Sequence, residues 1–157
     1  MEPENPYGKY IEGRDAIVLM GQTPDRIKAL VEGWPAANLR RSYAPGKWEA
    51  RQILLHLAQV EVALANRIWM ALTAPDYVVQ PFDQDAWVNA EPVPEGLAAL
   101  QAYYALRQLT LACARSLTPE RRAHTFTHPE RGTISVNWLL VMLAGHDIHH
   151  LRQLETI

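Results

Sequence analysis

Apolar positions recur at helical spacing along most of this 157-residue chain, and proline and glycine mark the gaps between the periodic stretches. Between Tyr10 and Val31 the periodicity is interrupted at Gly21-Gln22-Thr23-Pro24-Asp25. Thr23 is suited to cap and Pro24 to open a new first turn, so the sequence predicts a helix broken or kinked there. Residues Gly33 to Gly46 contain Pro35, Pro45 and Gly46 and read as a loop. Lys47 to Leu72 then runs without Gly or Pro and is rich in Ala, Leu, Gln, Glu and Arg, which predicts a long helix. On it Ile53, Val60, Ala63 and Leu64 form an apolar face around His56, and Arg51, Glu61 and Asn66 are expected to lie away from that face.

Residues Thr73 to Pro94 hold four prolines and three aspartates, predicting a long connection with at most one short helix, near Gln84 to Val88. Long connections of this kind often roof a site. Leu97, Leu100, Tyr104, Arg107 and Leu111 fit a third helix over Glu95 to Ser116, and Thr118-Pro119-Glu120 starts a further short turn. His124 and His128 are expected in an exposed loop. The chain closes with Thr133 to Glu155, where Leu139, Met142, Leu143, His146, His150 and Gln153 share one side of a helix. No strand-like alternation of any length competes. Four substantial helices imply an all-α four-helix bundle, a fold that builds its sites between facing helices.

Composition narrows the partners. The length suits one domain over residues 1–157, and no interior Gly/Ser-rich or highly charged stretch divides it. Net charge is −2 and basic residues occur singly or in pairs, so nucleic acid is not an expected partner. The longest apolar stretch, Trp138 to Gly145, is far short of the roughly 20 residues that span a bilayer. The start of the chain is polar and acidic, without the basic-then-apolar pattern of a secretory signal, and a cytoplasmic location is expected. The single cysteine, Cys113, is flanked by alanines and reads as a packed hydrophobe.

The candidate chemistry lies in Gly145-His146-Asp147-Ile148-His149-His150. His146 and His150 are one turn apart and about 40° apart around a helix axis, so both can grip one ion. His56 on the second long helix supplies a third imidazole, and three histidines leave an open coordination position. His149 could replace His150 if the helix rotated slightly. The plain alternative is a set of core histidines satisfied by separate hydrogen bonds. Asp147 and Glu61 are off the ligand faces and suited at most to support the ligands. Gln153 stands equally as a residue at the site or at a fraying helix end.

These residues resemble the DinB-like family, which includes YfiT-like metal-dependent proteins and thiol-dependent transferases. The likeness rests on Gly46-Lys47-Trp48 leading to Ile53-Leu54-Leu55-His56-Leu57-Ala58 and Glu61, and on the loop from Gln80 to Trp87 with Asp83 and Asp85. It rests also on His128-Pro129-Glu130-Arg131-Gly132-Thr133-Ile134-Ser135-Val136 and on the His-x-x-His-His-x-x-Gln run ending at Gln153. The resemblance implies an up-down-down-up bundle with a divalent metal ion on His56, His146 and His150. Members include transferases that use bacillithiol, mycothiol or glutathione, a mycothiol-dependent maleylpyruvate isomerase, and proteins described as metal-dependent hydrolases.

The expected function is therefore that of an enzyme in which Zn²⁺, or Ni²⁺, Fe²⁺ or Mn²⁺, activates a water or a small-molecule thiol for hydrolysis or S-transfer. The expected partners are a small-molecule substrate and a second copy of the chain in a homodimer. The competing expectations are a non-catalytic metal-binding stress-response module and a homodimeric helical scaffold.

Overall fold

A computed structural model describes residues 1–90 and 97–157. In chain order the helices are α1 (Gly8–Ile11), α2 (Ala16–Val31), α3 (Ala36–Leu39), α4 (Ala50–Thr73), α5 (Gln84–Ala90), α6 (Ala98–Ser116) and α7 (Pro119–Ala123). Strands β1 (Thr125–His128) and β2 (Gly132–Ser135) follow, and α8 (Val136–Leu154) ends the series. The start expected for the third long helix at Glu95, and the end of the long connection at Pro94, lie outside the described residues.

The side chains that start the helices are short acceptors or capping pairs. Asp15 accepts from the Val18 N–H at 2.9 Å, Thr118 from Arg121 at 3.3 Å and Ser135 from Trp138 at 3.1 Å, while Gln52 accepts from the Glu49 N–H at 2.9 Å. Of the break or kink expected at Gly21 to Asp25, the break is not found: α2 runs unbroken through Pro24. Proline there offers no N–H to the carbonyl of Met20, one turn earlier. That freed carbonyl accepts from Arg107 Nη1 at 3.3 Å instead, so a tertiary donor replaces the lost helical bond. Thr23 is buried and caps nothing; its hydroxyl donates to Leu19 O at 2.9 Å.

Helices α2, α4, α6 and α8 form the bundle, and its directions follow from two core clusters. One contains Leu19 and Met20 of α2, Val60 to Ala71 of α4, Leu111 and Ala114 of α6, and Val136 to Ile148 of α8. The other contains Ile27 and Val31, Ile53 to Ala58, Ala99 to Tyr103, and Leu151 and Leu154. Early α2 and early α8 thus meet late α4 and late α6, so α4 and α6 are parallel to each other and opposed to the other two. This is the up-down-down-up order. The parallel pair requires a connection that returns along the bundle, which explains the long segment after Thr73.

The hairpin was not expected. Thr125, Phe126, Thr127 and His128 pair with Ser135, Ile134, Thr133 and Gly132, and Gly132 adopts φ +81°, which favours glycine at the turn. Phe126 and His128 face inward between exposed threonines, but four residues make too short an alternation to register against helical periodicity. The hairpin also anchors the long connection, since Val79 N–H donates to Thr127 O at 2.9 Å and Thr127 N–H donates to Tyr77 O at 3.2 Å. The expected short helix in that connection is α5.

The first residues of the chain lie along α8. Asn5 Nδ2 donates to Trp138 O and Trp138 Nε1 to Pro3 O, each at 2.9 Å. Gly145 permits the approach, because a Cβ there would stand 2.2 Å from the Tyr7 carbonyl oxygen. Tyr7 is thereby set edge-on to the His146 ring, with centroids 5.1 Å apart.

Candidate metal centre

Helices α4 and α8 face each other at His56, His146 and His150, all of them buried. His56 Nε2 lies 2.9 Å from His146 Nε2, and His146 Nε2 lies 3.2 Å from His150 Nε2. One nitrogen from each of the three rings falls within a single 4.8 Å group. His149 points elsewhere: its Nδ1 meets the Tyr10 hydroxyl at 2.9 Å. Gln153 joins the two neighbours, with its Nε2 3.1 Å from His149 Nε2 and its Oε1 2.7 Å from His150 Nδ1. Of the two roles open to Gln153, the structure shows the one at the site.

Protonation makes this cluster unusual. His150 Nδ1 donates to Gln153 Oε1, which leaves its Nε2 as a lone pair aimed at the other rings. His146 Nδ1 lies 3.7 Å from the Asp147 carboxylate, and a proton on that side likewise leaves His146 Nε2 a lone pair. Burial, then the neighbouring His146, pulls His56 down to about 3, and burial holds His150 well below its ordinary value. Charging His56 and His150 is therefore disfavoured, while the Nε2 atoms of the three rings converge. A divalent ion resolves the conflict: at about 2.0–2.1 Å from each nitrogen, tetrahedral ligands stand about 3.3 Å apart, close to the spacings here. The three residues fit such an ion.

The surroundings favour a fixed geometry. Trp48 packs on His56 with centroids 4.7 Å apart and stacks near parallel to His150. Two clefts open beside the histidines and share Tyr7 and Gln84. One, of about 410 Å³, is bordered by Lys47, Trp48, Asp85 and His150. The other, of about 140 Å³, reaches from His146 past Val60 and Leu64 to Arg67.

Beneath the histidines lies a charged group that sequence reasoning placed wrongly or missed. Glu61, expected to face away from the core, is buried and accepts from Arg107 Nε at 2.9 Å. Arg107 is fully buried and also donates to Asp147, whose carboxylate accepts from the Tyr103 hydroxyl at 2.8 Å. Burial alone pushes the Asp147 carboxyl up, but Arg107 and the contact with His146 outweigh it and hold it below its usual value. Arg107 is held well above its ordinary range, because Asp147, Tyr103 and Glu61 outweigh its desolvation. Glu61 appears polar on a helical wheel of α4 alone; its burial is legible only with Arg107 across the bundle. His128, expected in an exposed loop, is buried at the end of β1 and lines the smaller cleft. His124 is exposed, as expected.

Comparison with known proteins agrees with this architecture. The family model of the DinB superfamily matches residues 19–154. A protein of Oceanobacillus iheyensis, named as a proposed metal-dependent hydrolase, is 30% identical over 138 residues, covering 85% of this chain and 78% of its own. YfiT of Bacillus subtilis, which bears the same description, is 28% identical over 147 residues, or 90% of this chain and 81% of that one. Its solved structure, reported with an unusual four-helix bundle topology, superposes with a TM-score of 0.83 at 24% identity over 89% of this chain and 82% of that chain. A mycothiol-dependent maleylpyruvate isomerase shares the fold, with a TM-score of 0.71 at 14% identity, but this chain covers only 59% of it. No helix among the described residues is long and apolar enough to cross a membrane. With a family model matched over most of its length and a relative at 30% identity, the chain belongs to the DinB superfamily.

Proposed function

We propose that this protein is a metal-dependent enzyme acting on a small molecule, with His56, His146 and His150 as the ligands of one divalent ion and a water or low-molecular-weight thiol at the open position. Zn²⁺ suits three imidazoles best, and Ni²⁺, Fe²⁺ and Mn²⁺ are the rival occupants. The observation that carries this reading is the convergence of three buried imidazoles, with His56 Nε2 and His150 Nε2 at 2.9 and 3.2 Å from His146 Nε2. Held by three neutral ligands, such an ion would keep its full charge and would supply the acidity that ionises a water near neutral pH or a thiol outright.

The chain's own residues supply the rest. Gln153 fixes the His150 tautomer through Nδ1, and the Asp147 carboxylate stands beside His146 Nδ1. Arg107 keeps that carboxylate ionised although it is buried. Trp48 and Tyr7 flank the rings and shield the site from bulk water, which strengthens electrostatic effects within it. The described names of the relatives support hydrolysis, and the shared fold with a thiol-dependent isomerase supports thiol chemistry. Both reactions share one step, the activation of a nucleophile at the open position, and differ in whether that nucleophile is water or a thiol.

Elemental mass spectrometry of untagged protein purified without added metal tests the reading. About one divalent ion per chain, absent from folded His56→Ala protein, is the expected result. No ion after reconstitution with Zn²⁺, Ni²⁺, Fe²⁺ and Mn²⁺ would overturn it.

A further inference from the structure

Two arginines are withdrawn into the interior of this bundle, and they are treated differently. Arg107 has two carboxylates, Glu61 and Asp147. Arg67 is only 6% exposed, yet among the described residues no carboxylate pairs with it. Its Nη2 donates to Gln80 O at 3.1 Å and its Cζ lies 5.5 Å from the centre of the Phe82 ring. A guanidinium has five N–H donors, and burying one without an anion carries a large desolvation cost. Burial pulls Arg67 below its ordinary value, and the more distant Tyr77 and Glu130 do not make up the difference.

Arg67 is eleven residues beyond His56 on α4, which brings it back to within about 20° of the same face, three turns along. Val60 and Leu64 fill the turns between. All three line the cleft of about 140 Å³, and His146 lines it too, so the Arg67 guanidinium and one member of the imidazole cluster share a single cavity. Met142 adds to the apolar wall.

The other groups at the far end set the charge. Arg131 contributes a second cation, with its Cζ 5.6 Å from the Trp138 ring, and the exposed Glu130 contributes one anion. His128 accepts from the Glu130 N–H through Nδ1 at 3.2 Å, which leaves Nε2 as the protonated nitrogen. Burial, then Arg67 and Arg131, lower the His128 pKa, so the ring is neutral at pH 7. Two cations and one anion leave one positive charge to be matched.

We propose that this cleft binds the carboxylate of a small-molecule substrate, with Arg67 as its anchor and an apolar spacer along Val60, Leu64 and Met142 leading to the histidine cluster. The proposal deepens the functional reading above and rests on it for the location of the reacting end. At the Arg67 end a single carboxylate matches the one unmatched positive charge and the planar fork of the guanidinium.

Ligand-observed NMR titrations at pH 7.5 with hexanoate, hexanamide and hexyl phosphate test it, using zinc-loaded wild type, EDTA-treated wild type, Arg67→Gln and Arg131→Gln. Hexanoate is expected to bind at least about tenfold more tightly than hexanamide, the usual scale of a charge-assisted contact. Arg67→Gln should erase that preference, Arg131→Gln should weaken it less, and EDTA should leave it in place. Retention after EDTA together with loss in Arg67→Gln would support the carboxylate site even if the metal reading failed. Equal binding of acid and amide, or a preference unchanged in Arg67→Gln, would overturn the proposal. A preference lost with EDTA but kept in Arg67→Gln would also overturn it, placing the carboxylate at the metal and leaving the metal reading intact. Tighter binding of hexyl phosphate would make the site one for phosphate and overturn the assignment. If circular dichroism shows Arg67→Gln unfolded, Arg67→Lys keeps the charge without the fork, and an undiminished preference there would count against the anchor.

Discussion

Asp147 meets two demands at once. One carboxylate oxygen accepts from Tyr103 and Arg107, while the other has no hydrogen-bond partner and is the one that faces His146 Nδ1 at 3.7 Å. The same side chain therefore neutralises a buried arginine and biases the tautomer of a proposed ligand. Asp147→Asn keeps the shape and removes the charge. We expect divalent-ion affinity, measured by chelator competition, to fall about 10–100-fold, the usual effect of losing a ligand's supporting carboxylate. Arg107→Met acts on the same group from the other side by stranding two buried carboxylates, and should cost about 3–5 kcal/mol in denaturant unfolding. Adding Glu61→Gln should recover part of that loss; an additive double variant would show that the two side chains do not act as a unit.

At the scale of elements, the contact between α1 and α8 decides how the site is covered. Alanine is the better helix former by about 1 kcal/mol, so Gly145→Ala would stabilise an isolated α8. In the folded protein its Cβ would fall 2.2 Å from the Tyr7 carbonyl oxygen, and backbone must move. We expect a net loss of about 1–3 kcal/mol and faster amide exchange in α1, with Tyr7 displaced from His146. Greater stability with unchanged exchange would mean that the strap adjusts freely. Gly145 was read in the sequence only as the residue before the histidine run, since its need comes from a distant partner. The same division holds elsewhere. The four long helices, the short α5 and the His146–His150 pair were legible because each depends on local periodicity or spacing, and His56 was added through the apolar face it shares on α4. The uninterrupted α2 was not, because a donor from α6 satisfies the carbonyl that Pro24 leaves free. Nor was the hairpin, whose strands are held by the connection packed beside them.

For the whole molecule, the buried imidazoles make stability depend on pH in a way that separates the metal-free protein from the loaded one. His56 is near 3 when folded and about 6.5 in an unfolded chain, and His150 is shifted in the same direction. Between those values the unfolded chain takes up protons that the folded chain refuses, so stability falls as pH drops through about 6.5 toward 3. At its steepest the loss is about 1.4 kcal/mol per pH unit for each histidine. Ordinary carboxylates contribute little above pH 5.5, so unfolding of EDTA-treated protein by urea at pH 7.5, 6.5 and 5.5 isolates the histidine effect. His56→Gln should lessen the dependence, with the part due to His150 and the other lowered histidines remaining. Saturating zinc should raise stability at pH 7.5 by about 2.7 kcal/mol at one hundred times Kd, a rise of about 5–10 °C in Tm for a chain of this size. That increment should shrink toward pH 5.5, because protons compete for the same nitrogens. Equal stability of the metal-free protein at pH 7.5 and 5.5 would contradict neutral, buried His56 and His150 rings, and with them their readiness to hold a divalent ion.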